Sequence, residues 1–65
     1  MAKVGDKFIL HSENGDYYID VVNVNNYREP NMKYGVDVCN EDGVYADDVM
    51  FVGENFLSKC KKVGI

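Results

Sequence analysis

The stretch GVYADDVMFVG, residues 43–53, contains two apolar runs that meet at a pair of aspartates. The number of strands in this part of the chain depends on whether those runs form one strand or two. The stretch follows YGVDVC, residues 34–39, whose alternation predicts a strand, and NEDG, which favours a tight turn. If the chain continued after that turn as one uninterrupted strand, Asp47 or Asp48 would face an apolar side chain of the preceding strand. The sequence therefore predicts that a strand stops after Tyr45, that ADD forms one helical turn, and that VMFV begins a new strand.

The N-terminal part of the chain predicts a hairpin. Asn14-Gly15 is a favoured pair for a two-residue type I′ turn, in which both central residues need a positive φ. A turn there places Leu10 opposite Ile19. It also places Phe8 opposite Val21, so the apolar side chains meet on one face.

The second strand has more apolar residues than one face can use. In YYIDVVNVNN, Ile19 and Val21 are in one phase and Val22 and Val24 in the other. This phase change predicts a bulge or sharp bend, after which the strand pairs in a second sheet. Residues 25–33 should then form a loop, since proline is excluded from central strands.

The segment GVYADDVMFV resembles the closing part of SH3-like barrels, in which a short strand runs into one 3₁₀ turn and then a final strand. The short strand corresponds to Gly43, Val44 and Tyr45. The 3₁₀ turn corresponds to ADD, and the start of the final strand corresponds to Val49. The resemblance implies an all-β fold, a small five- to six-stranded SH3-like barrel with one 3₁₀ turn. The chain has no Trp, no ALYDY-like start and no Pro in the turn, so the resemblance implies the barrel without the binding of proline-rich peptides.

Residues 54–65 extend beyond that ending. They predict either a further strand, with Leu57 and Val63 covering one end of the barrel, or a short helix, because ENFLSKCKK begins polar and ends basic. Cys39 and Cys60 match no metal or redox spacing and are expected to be free thiols. A disulfide would require the final segment to pack beside the strand that carries Cys39.

Length and composition predict a single domain over residues 1–65, with 46% hydrophobic residues available for a core. No segment resembles a transmembrane span or a signal peptide, so a cytoplasmic protein is expected. The net charge is −4, from eleven acidic and seven basic residues. This charge argues against a protein that coats duplex DNA, since such proteins normally present a basic surface.

Catalytic and metal sites find little support in the sequence. His11 is the only histidine, the hairpin register places it on the outer face, and no nucleophile is paired with a base by sequence. Counted as a calcium loop from Asp37, the third residue is Cys39 and the sixth is Asp42, where the loop needs a ligand and a glycine. We therefore predict a protein that is not an enzyme and has no cofactor and no metal.

Five tyrosines exceed what so small a core needs, and Tyr is suited to recognition surfaces. The leading hypothesis is a small, acidic, non-catalytic binding module that docks on a protein partner through loop 25–33, nearby tyrosines and the acidic turn, as phage-type modulators or inhibitors of host proteins do. The expected partner-binding residues are Tyr18, Tyr27, Arg28, Asp47 and Asp48.

Two alternatives remain open at this point. The first is a nucleic-acid-binding SH3-like domain that uses Arg28, tyrosines and the lysines at 59, 61 and 62. The second is a structural subunit of a larger assembly. No membrane partner is expected, and the chain should be a monomer or a weak homo-oligomer.

Overall fold

The computed structural model describes residues 1–64, and its strands form one antiparallel sheet in the order β4-β3-β2-β1-β5. The described strands do not close into a ring, because β4 and β5 remain at opposite edges. The predicted all-β class, with five strands, a 3₁₀ turn and a short helix, is confirmed. The elements are β1 (Lys7–Ser12), β2 (Gly15–Val24), a 3₁₀ turn (Pro30–Met32), β3 (Tyr34–Asn40), β4 (Met50–Val52), α1 (Glu54–Leu57) and β5 (Lys61–Val63).

The first hairpin forms as predicted, but its register differs by two residues. Phe8 lies opposite Ile19, and Ser12 lies opposite Gly15, so the turn is centred on Glu13 and Asn14. A type I′ turn at Asn14-Gly15 would need a positive φ at Asn14, whereas the positive φ, 116°, falls on Gly15. Because the displacement is an even number of residues, the apolar side chains still share one face, as the period of two requires.

The phase change in β2 is a bulge, as predicted. The pairing with β3 shifts between Val21 and Asn23, and Val24 then lies opposite Tyr34. The extra residue lets Val24 pack against the core while Val22 is exposed. The predicted transfer of the strand to a second sheet is wrong, because β2 pairs with β3 on both sides of the bulge.

The break at ADD is present, but it is not a helical turn. Tyr45 forms an isolated bridge with Cys39, the residues between 45 and 50 bend, and Met50 then pairs with Val36. Met50 follows Tyr45 by five positions in the sequence, whereas their partners Val36 and Cys39 are three positions apart. Two extra residues therefore bulge out between Tyr45 and Met50. Both sides of the break therefore pair with the same strand, and the helical turn expected here lies elsewhere.

The helical turns are at Pro30–Met32, within the predicted loop 25–33, and at Glu54–Leu57, between β4 and β5. Residues 54–64 thus contain both of the alternatives expected for them, a helix and then a strand that pairs with β1. Ile65 lies outside the described residues.

The core lies on one face of the sheet under α1. Leu57 is buried there as predicted, but Val63 is exposed, because it lies on the opposite face of the edge strand β5. Since β5 pairs with β1 and not with β3, the condition for a disulfide is not met, and Cys39 and Cys60 are free. The buried apolar residues are Phe8, Ile19, Val21, Tyr34, Val36, Val52 and Leu57.

Candidate functional site

The face of the sheet that points away from the core carries an unusual number of exposed apolar side chains. One row of neighbouring residues crosses the strands on this face. It consists of Ile9 on β1, Tyr18 on β2, Cys39 on β3 and Tyr45 just before the break. Directly opposite residues in antiparallel strands project from the same face. Since the neighbouring residue Ile19 points into the core, this row belongs to the outer face.

A second group continues this face beside β4. Phe51 lies opposite Gly35, and a Cβ atom on Gly35 would come within 3.5 Å of Phe51 Cε1 and 3.3 Å of Val49 Cγ1. The absence of a side chain at Gly35 therefore lets the aromatic ring and the valine lie over the backbone of β3. Aromatic side chains commonly cover sheet glycines in this way.

Together these residues form what we call the outer patch: Tyr18, Cys39, Tyr45, Val49 and Phe51. Tyr45 is 57% exposed, Phe51 46%, Tyr18 44% and Val49 42%. On β3, Asp37 lies between the two groups of the patch. Several large apolar side chains exposed on one face of a small protein are typical of an interaction surface.

Arg28 lies at one end of the outer patch and is held in place by several contacts. Its guanidinium carbon lies 4.7 Å from the centre of the Phe51 ring, a cation–π arrangement. Its nitrogen atoms donate hydrogen bonds to Asn23 Oδ1 at 2.6 Å and to the carbonyl oxygens of Met32 and Lys33 at 2.8 and 3.1 Å. The arginine thus ties loop 25–33 to the outer face.

The structure brings together only some of the predicted partner-binding residues. Tyr18 belongs to the outer patch and Arg28 borders it. Asp47 and Asp48 lie within the break, between the patch residues of positions 45 and 49, and both are exposed. Tyr27 is fully exposed at the surface of the loop, and only its backbone N–H is engaged, by Asn25 Oδ1 at 2.9 Å.

The predicted partner-binding residues did not include four members of the outer patch: Cys39, Tyr45, Val49 and Phe51. The signal was available in part, because Gly35 lies within the predicted strand and a glycine in a strand often marks a close approach by another group. The pairing of Gly35 with Phe51, and the approach of Arg28 to that ring, depend on the register of β4 and on the course of loop 25–33. Neither can be read from residue types alone.

Carboxylates lie between the two groups of the outer patch and beside it. Asp20 lies opposite Asp37 on the outer face, and Lys7 Nζ approaches Asp20 Oδ1 at 3.0 Å. His11 is exposed on the same face, with its Nδ1 2.7 Å from Asp16 Oδ1. Within residues 1–64, no three side chains of His, Cys, Asp or Glu come close enough together to hold a metal ion.

A separate groove runs between the 3₁₀ turn and α1. Its volume is about 490 Å³, and Pro30, Lys33, Gly53 and Phe56 are among its lining residues. The backbone elements approach so closely here that a Cβ atom on Gly53 would lie 2.5 Å from the carbonyl oxygen of Pro30. Gly53 is therefore required for the packing of α1 against the turn.

Tyr34 links this region to the core. The tyrosine is fully buried, and its hydroxyl donates a hydrogen bond to Glu54 Oε1 at the start of α1. Burial, together with the hydrogen bond to the carboxylate, raises the pKa of Tyr34, while the same hydrogen bond lowers the pKa of Glu54. The pair joins β3 to α1 and holds the tyrosine neutral and the glutamate ionised.

Two further groups have shifted pKa values. The backbone N–H of Lys3, 3.0 Å from Asp6 Oδ2, lowers the pKa of that carboxyl, and Lys62 nearby acts in the same direction. Burial raises the pKa of the Cys60 thiol, which keeps it in the weakly nucleophilic protonated form.

The sequence matches no protein-family model, and neither a curated protein nor a solved structure matches the chain. Among residues 1–64, no helix has the length and apolar character needed to cross a membrane. What the outer face can bind must therefore be inferred from its own geometry.

Proposed function

We propose that this chain is a small non-catalytic binding module that docks on a protein partner through the outer patch. The observation that carries the proposal is the exposed apolar surface of the patch, bordered by the immobilised side chain of Arg28. Aromatic residues and Arg are the residue types most enriched at the energetic centres of protein interfaces. An aromatic side chain that is already positioned loses little conformational entropy on binding.

The docking surface proposed here differs in part from the one expected from the sequence. Phe51, Val49 and Tyr45 form its centre, and the acidic break and loop 25–33 border it. Tyr27 lies in that loop, outside the patch, and would contribute only to a partner large enough to reach it. A role as a modulator or inhibitor of the partner remains a prediction.

The nucleic-acid alternative is less well supported by the arrangement of charges. The lysines at 61 and 62 belong to β5, at the opposite edge of the sheet from Arg28 and Phe51. Lys62 Nζ is also 3.6 Å from Asp6 Oδ2, which compensates its charge. Stacking on aromatic residues normally accompanies a basic groove that follows the phosphates. Arg28 lies over the Phe51 ring, but Lys61 and Lys62 are at the other edge of the sheet, so these basic residues do not form one groove beside the exposed aromatic rings.

The SH3-like character of the fold is part of the same proposal. Two features support it: the last strand pairs with the first, and a one-turn helix, Glu54–Leu57, separates the fourth and fifth strands. The resemblance implies a 3₁₀ turn at ADD before the final strand, whereas the structure has an α-helical turn, Glu54–Leu57, before β5.

The test is affinity capture of partners with the immobilised wild-type protein and with Phe51→Ser. We expect Phe51→Ser to lose the specific partner, because it removes the central apolar group of the patch and the ring beneath Arg28. Val4→Ser is the matched control, since Val4 is also exposed and lies in the N-terminal segment. Circular dichroism should show that both variants fold. A captured set identical for the wild type and Phe51→Ser would contradict the proposal.

A further inference from the structure

The strand β4 leaves one edge of the sheet open. It ends the strand order, so one side of its backbone has no strand partner among the described residues. Met50 and Phe51 on this strand are both exposed. Natural sheets protect such edges with lysine, proline, very short strands or a covering loop. β4 is only three residues long and the 3₁₀ turn Pro30–Met32 packs beside it, but residues 43–53 contain neither lysine nor proline.

The opposite edge shows the usual protection. Lys61 and Lys62 lie on β5, and both are exposed. The two edges of the same sheet therefore differ in a way that matters for association: β5 carries charges that discourage strand pairing, whereas β4 presents apolar side chains and unpaired backbone. A short edge without lysine or proline, next to an exposed apolar face, is suited to the addition of a short strand.

Three carboxylates near β4 outnumber its one basic neighbour, Arg28, and therefore favour a basic partner. Asp47 and Asp48 immediately precede the strand, and Asp37 lies on the outer face of β3. None of the three forms an ion pair within residues 1–64, in contrast to Asp20, which is paired with Lys7. A basic segment would compensate these carboxylates, while an acidic segment would be repelled.

We propose that the partner presents an extended basic segment that pairs with the free edge of β4 and places its apolar side chains on the outer patch. The inference rests on the function proposed above and names the chemistry of the partner. In an added strand, successive side chains point to opposite faces, so every second one would lie beside Phe51 and Val49. Basic side chains in the same segment would reach Asp47 and Asp48.

A second copy of this chain fits less well. Its β5 edge is basic, but the pairing of β4 in one copy with β5 in the next would be head-to-tail and would not close by itself. The net charge of −4 also opposes association between copies. A different protein is therefore the proposed occupant, and a two-fold β4–β4 pairing of two copies is the alternative that light scattering would reveal.

The experiment measures fluorescence anisotropy with three labelled synthetic peptides. In the first, lysine and valine alternate; in the second, glutamate replaces lysine; the third has the first sequence with N-methylated backbone amides, which cannot pair with a strand edge. We expect the first peptide to bind and the other two to bind at least about tenfold more weakly, since one lacks attraction and the other lacks backbone hydrogen bonds.

Protein variants test the same surface. Asp47→Asn with Asp48→Asn should weaken binding of the lysine peptide about tenfold, at roughly threefold for each exposed ion pair lost. Glu13→Gln, which removes an exposed carboxylate in the first hairpin turn, away from the outer patch and its border, should leave the affinity unchanged. Phe51→Ser should reduce binding of the lysine peptide strongly.

Each result separates this inference from the proposed function. If the lysine and glutamate peptides bound with equal affinity and both lost binding in Phe51→Ser, the partner would not need to be basic. The outer patch would still be supported as the docking surface. Equal binding of the N-methylated peptide would overturn strand addition. No binding of any peptide would overturn the inference, while partner capture still tests the function. Oligomers seen by light scattering in the wild type and absent in Phe51→Ser would identify a second copy as the occupant.

Discussion

Replacement of Tyr34 by Phe tests the link between the sheet and α1. The change removes one hydroxyl and leaves the ring, so the packing of the fully buried side chain is retained. The lost interaction is the hydrogen bond to the ionised carboxylate of Glu54. Hydrogen bonds to charged groups contribute about 1.5–3 kcal/mol.

The expected loss lies at the lower end of that range, because Glu54 is exposed and water can replace the hydroxyl. We therefore expect Tyr34→Phe to reduce the free energy of unfolding by about 1.5 kcal/mol. For a domain of this size that corresponds to a decrease in Tm of roughly 6–12 °C. Urea unfolding followed by circular dichroism, with thermal melts alongside, measures both quantities.

The effect should depend on pH in a defined way. The pKa of Glu54 is lowered by folding, so its contribution is present above the ordinary value of 4.5 and is lost as the pH falls through the folded value. The pKa of Tyr34 is raised, so its contribution is present below 10.0 and is lost as the pH rises through the folded value. The difference between wild type and Tyr34→Phe should therefore be largest between these limits.

A double-mutant cycle with Glu54→Ala identifies the partner. If the hydrogen bond carries the effect, Tyr34→Phe should cost much less in the Glu54→Ala background than in the wild type. A coupling energy below about 0.5 kcal/mol, the limit expected for independent sites, would refute the role assigned to this pair.

Three further changes have defined outcomes. Gly53→Ala should destabilise the protein by about 1–3 kcal/mol in urea unfolding, because its Cβ would lie 2.5 Å from the carbonyl oxygen of Pro30; unchanged stability would mean that the turn and α1 do not pack as described. Asp6→Asn should make the free energy of unfolding decrease less steeply as the pH falls, because folding lowers the pKa of Asp6 and its contribution to stability is lost in acid. Urea unfolding at a series of pH values measures this, and an unchanged acid profile would contradict it. Asp47→Val with Asp48→Val should change stability by less than about 0.5 kcal/mol, because neither side chain makes a hydrogen bond or ion pair within residues 1–64; a loss above about 1 kcal/mol would show that the break depends on the carboxylates.

The faces of the strands could be predicted from the sequence. In YGVDVC the alternation places Tyr34 and Val36 on the same face of a strand, and both are fully buried. The phase change in β2 predicted the bulge at Val21 and Asn23, and the mismatch at ADD predicted an interruption. These features follow from the period of two, which is a local property of an extended chain and is therefore visible in residue types.

The pairing partners and the site were decided by the tertiary structure. A shift of two residues in the first hairpin keeps every side chain on its face, so alternation cannot distinguish the two registers. The helical turn before the last strand formed at Glu54–Leu57, where the close approach at Gly53 and the bond from Tyr34 hold it, and not at ADD. The outer patch and its border join Gly35, Phe51 and Arg28 from three separate segments. Sequence determined which side chains point outward, while contacts between distant segments determined which of them lie together.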